Sequence, residues 1–202
     1  MKTIILSIAT LLFFTLTTST QGQAATKNNG VETVLTNVSN FSGIEVHGNV
    51  EVYVSTGENN VKVYDSYYNQ NALVQEQNGV LRISSYKTEK LVVWVTVNNL
   101  TSLTAYDNAT VKSFGKLSAV ELNVNLNDHA SAQLDLDASV AKITLNGNAK
   151  AKLAGYSDES NIELSQMARL NTTKFEGTKT VKRQAAVVTI AKLQNDELAE
   201  IE

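Results

Sequence analysis

Few residues in this chain are of a type and spacing that could do chemistry. Asp135 and Asp137 form an Asp-x-Asp pair, while Asp107 and Asp128 hold equivalent places in two successive repeats. If those repeats stack as neighbouring strands, the two corner carboxylates stand about 5 Å apart. That separation suits the acid and nucleophile of a retaining glycosidase, or a calcium site built from several oxygens. The next repeats carry Gly147 and then Gln166 at the same place, so the acidic column stops after two members. His129 follows Asp128 and could serve as a metal ligand or general base, although a lone turn histidine more often has no chemical role. His47, next to Gly48, falls on the polar side of an alternating strand, and the same reading applies.

No phosphate-cradling loop, Gly-x-Ser-x-Gly or His-Glu-x-x-His pattern occurs. The absence of cysteine excludes disulfides, thiol nucleophiles and thiolate metal sites. The expectation is a protein without catalytic residues, cofactor or metal. A binding role has better material. Tyr64, Tyr67, Tyr68, Tyr86 and Trp94 cluster in the first half, and exposed aromatics can stack on sugars or dock a protein. Trp94 lies in a dense apolar strand and is expected in the core. Tyr67 and Tyr68, in a polar segment, are the expected binding pair.

The elements that must position these residues are strands. From Phe41 onward apolar and polar residues alternate: Ile44, Val46, Val50, Val52 and Val54, then Val61 and Val63, Leu81 and Ile83, and the run Leu91 to Val97. Short alternating runs rich in β-branched residues and divided by Gly/Asn turns predict strands with one buried face. Asn78-Gly79 is a tight hairpin signal. The segment from Ser66 to Gln77 reads either as a helical turn or as strand and loop.

The second half repeats. Aligned on Ala109, Ala130, Ala149 and Ala168, with intervals of 21, 19 and 19 residues, each unit reads apolar-x-apolar, three mostly polar residues, alanine, and renewed alternation. A weaker fifth copy would be Val181 to Ala185. A period near twenty predicts one coil of a parallel β-solenoid, since no unit can bury its apolar face alone. Alanine suits a tight corner under the next layer, and Asn or Asp before it tolerates turn geometry. Stacked Asn125, Asn127 and Asn146 could form hydrogen-bonded ladders. The alternative is an antiparallel meander, whose strands usually recur at about 8–12 residues. The predicted fold class is all-β, solenoid-like, with the first half packed on or continuing the coils.

The flanks read as processing and solvent-facing segments. Residues 1–24 combine Lys2, an apolar run from Ile4 to Leu16 and small residues near Ala24 and Ala25, the pattern of a secretory signal. A membrane anchor is the competing reading, but a span needs roughly 20 apolar residues. Residues 25–40 form a polar leader, 41–192 the single domain, and 193–202 an acidic tail. The net charge of −3 and the lack of a basic run along the sequence argue against nucleic acid and anionic membranes. No second apolar stretch of membrane length follows the signal.

The order Phe41-Ser-Gly-Ile44-Glu-Val46, Asn78-Gly-Val-Leu81-Arg-Ile83, Val93-Trp-Val95-Thr-Val97, followed by the alanine-cornered repeats, resembles the GIN domain family. These are exported proteins of Bacteroidetes type, described as auto-transporter adhesin head domains and formerly as a domain of unknown function. The resemblance covers about Phe41 to Ala191. It implies a solenoid-like fold at the cell envelope and an adhesive role toward a surface glycan or protein, with no catalytic residues to transfer. It leaves periplasm, outer-membrane surface and medium open as locations. Two other readings stand beside it: a periplasmic structural or signalling accessory, and a polysaccharide-active enzyme using Asp135 and Asp137.

Overall fold

The computed structural model describes residues 32–35, 38, 40–64 and 73–185. Those residues are all-β, with 74% in strands and no helix. The strands are β1 (Glu32–Val34), β2 (Gly43–Gly48), β3 (Val50–Thr56), β4 (Asn60–Tyr64), β5 (Leu73–Gln77), β6 (Val80–Ser85), β7 (Leu91–Val97) and β8 (Ser102–Ala105). Four longer ones follow: β9 (Thr110–Leu126), β10 (Ser131–Leu145), β11 (Lys150–Leu164) and β12 (Arg169–Gln184). All twelve belong to one curled sheet. Tyr67, Tyr68, the signal segment 1–24 and the tail 193–202 lie outside the described residues. Within the span read as a polar leader, β1 pairs antiparallel with β4. The open part of the Ser66–Gln77 reading resolves at its C-terminal end into β5, which pairs with β6 through Asn78-Gly79. Both turn residues have positive φ, 55° and 76°, as a type I′ hairpin requires.

Two parallel ladders run through the sheet. In one, β7, β3 and the first half of β9 lie side by side, and the first halves of β10, β11 and β12 continue the row. In the other, β6, β2, β8 and the second half of β9 lead into the second halves of the same three strands. Each strand from β9 onward therefore bends across both ladders. Inward columns are apolar: Leu81, Ile44, Leu103, Val124, Ile143 and Ile162 form one, and all are at most 2% exposed. Burial of this stacked apolar face is the main driving force for the assembly.

The corners explain the repeat. Ala109, Ala130 and Ala149 are fully buried, and their N–H groups donate to the carbonyls of Tyr106, Asn127 and Asn146 three residues back. The first central residue of each turn, Asp107, Asp128 or Gly147, has φ of 57°, 56° or 60°, a conformation that Asp tolerates and Gly favours. Successive corners bond to one another, His129 N–H to Asp107 O and Asn148 N–H to Asp128 O. One rung of the expected asparagine ladder forms, Asn146 Nδ2 donating to Asn127 Oδ1 at 2.9 Å.

The proposed fifth copy is out of register. Lys182, not Val181, lies beside Ile162, and Val181 faces Asn161. Residues 181–184 still form the next rung beside β11, but cross-strand pairing sets the offset there at 20 residues rather than 17.

Candidate functional site

The 21-residue first interval has a structural consequence. Between the pairs Lys112–Gln133 and Lys116–Asp135, β9 has two residues more than β10. They are accommodated as a bulge at Phe114-Gly115, where Gly115 has φ of 81°. A bulge bends its strand and re-aims side chains, and here it leaves the Phe114 ring 65% exposed. Phe114 lies 5.4 Å from Trp94, ring centre to ring centre. Trp94 stacks on Tyr53 at 4.7 Å and meets the edge of Tyr64 at 6.5 Å.

Trp94 is therefore not a core residue. Val93 and Val95 take the inward positions of β7, and strand alternation puts Trp94 on the outer face, where it is partly buried among other aromatics. Both alternating sets of Leu91–Val97 are largely apolar, so period-two reasoning could not tell which set faced inward. Phe114 was missed for a related reason: it stands alone in a polar stretch.

The ridge is anchored by charge. Glu51 accepts hydrogen bonds from Lys112 Nζ at 2.6 Å and Tyr53 Oη at 2.6 Å, with Lys90 Nζ at 3.6 Å. Lys112 Nζ also lies 5.4 Å above the Tyr53 ring, a cation–π contact. The Lys112 hydrogen bond, then that of Tyr53, holds the Glu51 carboxyl below its ordinary range, and the same carboxylate raises the Tyr53 hydroxyl and the Lys112 ammonium. A carboxyl depressed in the folded state contributes stability above its unfolded pKa and loses it as pH falls through the folded one. Glu51→Gln should lower stability by about 1 kcal/mol at neutral pH. Urea titrations across the acid range should show that difference disappearing once Glu51 is protonated; a constant difference would refute the ion-pair account.

The two corner acids considered for catalysis are engaged with backbone groups. Asp107 Oδ2 accepts the Gly48 N–H at 2.9 Å, and Asp128 Oδ2 accepts the Asp107 N–H at 3.2 Å, so the corner acids tie each turn to its neighbour. Asp137 is exposed, and Asp135 is part-buried with its N–H donating to Ser113 Oγ. His47 stacks on Tyr106 at 4.4 Å and meets Glu45 at 2.9 Å. His129 is an exposed turn residue beside Asn148. Among the described residues no three His, Asp or Glu side chains converge as a metal site, and no helix is long and apolar enough to cross a membrane.

The fold and this surface can be set beside known proteins. A family model described as "Putative auto-transporter adhesin, head GIN domain" matches residues 40–188. The chain belongs to the GIN domain family. Solved structures share the fold of this GIN domain at low identity. One described as a putative adhesin from Bacteroides fragilis has a TM-score of 0.68 at 12% identity, covering 78% of this chain and 77% of that one. One from Parabacteroides merdae, also described as a putative adhesin, gives 0.59 at 15%, covering 77% and 78%. A third, described as a putative lipid binding protein from Parabacteroides distasonis, gives 0.62 at 10%, covering 78% and 79%. No curated protein matches the chain. Membership in the GIN family supports an adhesin-like binding role.

Proposed function

We propose that this GIN-domain protein is an exported, non-catalytic binding module that takes glycan on the aromatic ridge of Tyr53, Trp94 and Phe114. The observation that carries the reading is the Phe114 ring, which a bulge holds in solvent beside Trp94. An exposed ring on a rigid sheet loses little entropy on binding, and its face offers the apolar patch that a sugar ring covers. Export is proposed from the signal-like residues 1–24, with 25–40 a leader, 41–192 the domain and 193–202 a tail. The four long strands are proposed to act as coils of a short β-solenoid, supported by their parallel stacking. Tyr67 and Tyr68 are kept as accessory binding residues because their segment follows β4, which supplies Tyr64 to the ridge. The absence of catalysis is supported by the backbone duties of Asp107 and Asp128.

Phe114→Ala tests the reading. Its exposed ring contributes little to folding, so stability should stay within about 0.5 kcal/mol. Affinity for any glycan that binds the wild type in an array should fall about tenfold or more. Unchanged glycan affinity would remove the ridge from consideration.

A further inference from the structure

Beyond the ridge, the outer columns of the same ladder become cationic. Moving across the strands from Trp94, the rungs of one column are Tyr53, Lys112, Gln133, Lys152 and Asn171. The neighbouring column runs Glu51, Thr110, Ser131, Lys150 and Arg169. From Thr110 and Lys112 to Arg169 and Asn171, these residues line a groove of about 340 Å³ together with Ala132, Ala151 and Leu170. The linear sequence has no basic run; stacking brings together cations from three different strands.

Among the described residues, the charges of Lys150, Lys152 and Arg169 are not neutralised as others are. On the second ladder, cations meet glutamates on the adjacent strand: Lys142 with Glu121 at 2.6 Å, Lys179 with Glu159 at 3.2 Å, and Arg183 with Glu163 at 3.6 Å. In the groove, Lys150 and Arg169 stand directly opposite each other across β11 and β12. Like charges in that position are destabilising. Neither they nor Lys152 forms an ion pair with a described residue, whereas Lys112 is held by Glu51. Asp135, two residues beyond Gln133, does not line the groove.

We infer that this groove binds an acidic polysaccharide, its carboxylate or sulfate groups on Lys150, Lys152 and Arg169 and its sugar rings continuing toward Trp94 and Phe114. The inference rests on the glycan reading of the ridge and adds the ligand's charge and direction. Strand spacing of about 4.8 Å presents one rung at a time to a chain lying across the sheet. Arg169 can engage a carboxylate or sulfate through two parallel N–H groups. Thr110, Ser131, Gln133 and Asn171 interleave neutral donors and acceptors, which suit hydroxyls between sparse charges. A nucleic acid, with about one charge per 1.7 Å of duplex axis, calls for a denser array than three free cations on a chain of net charge −3.

The test uses the folded protein with four probes: polygalacturonate, dextran sulfate, neutral dextran and oligo-dT. The variants are Phe114→Ala and the triple Lys150→Gln, Lys152→Gln, Arg169→Gln. Wild type should bind an acidic polymer at least about tenfold more tightly than dextran, and the triple variant should lose that preference together with its salt dependence. Polygalacturonate and dextran sulfate separate carboxylate from sulfate recognition. Melting of the triple variant should be unchanged or raised, because a like-charge rung is removed. Equal binding of acidic polymer by wild type and triple variant overturns the groove, and a concurrent loss in Phe114→Ala leaves the ridge standing. Loss in the triple variant with none in Phe114→Ala upholds the groove and removes the ridge. Oligo-dT binding as tightly as the acidic polymers, and lost in the triple variant, overturns the ligand class.

Discussion

Replacing Gly155 with alanine is expected to destabilise the fold by about 3 kcal/mol or more. Gly155 sits in β11 with φ of 92°, opposite Leu136 of β10. A Cβ there would overlap the Leu136 carbonyl oxygen and lie 2.7 Å from Asp135 Oδ1. The obstructing group is backbone held in a parallel ladder, so it cannot rotate away as a side-chain tip could. Gly115 supplies the control. It has a similar φ of 81°, but nothing lies within 4 Å of its added Cβ. Gly115→Ala should therefore show only the cost of the left-handed backbone, about 1 kcal/mol. Urea unfolding of both variants separates steric from conformational effects. Equal losses would show that close approach at Gly155 is relieved by movement of β10, and would refute the rigid-ladder picture.

Truncating Ile143 to alanine should cost about 3 kcal/mol, within the range of cavity-forming substitutions. Ile143 is 1% exposed and lies between Val124 and Ile162. Layers on both sides hold the walls of the resulting cavity apart, which limits collapse. The same column ends at Lys182 in β12, an exposed residue beside Ile162. Lys182→Ala should stay within about 0.5 kcal/mol. The contrast tests whether stability resides in nearest-neighbour layer contacts, as expected for stacked repeats. Comparable losses at both positions would mean that β12 is covered by packing equivalent to an internal layer.

These positions also show where sequence reasoning was strong. The alternation from Ile44 to Val54 and the alanine-cornered repeats indicated strands and their inward sets, because a period of two leaves little choice when one set is polar. Asp107, Asp128 and Gly147 share one backbone conformation, so their common place in the repeat was legible as a turn. The alignment on Ala109, Ala130, Ala149 and Ala168 even contained the groove. The residues one and three positions after each alanine are Thr110 and Lys112, Ser131 and Gln133, Lys150 and Lys152, Arg169 and Asn171. The cations gather down those columns and are scattered along the chain.

An all-β chain, its repeat length and the residues able to turn its corners are all legible in the order of residues, because they depend on local backbone preference and side-chain alternation. Tertiary structure decided which strands are neighbours. The chain places β6 and β7 on one side of β2 and β3, then returns β8 and β9 to the other. That order brings Trp94 onto Tyr53 and Lys112 onto Glu51, contacts between residues tens of positions apart. It also decided that Trp94 faces outward and that the two surplus residues of β9 expose Phe114. No local preference encodes such choices. They follow from which long-range pairing buries the largest continuous apolar face.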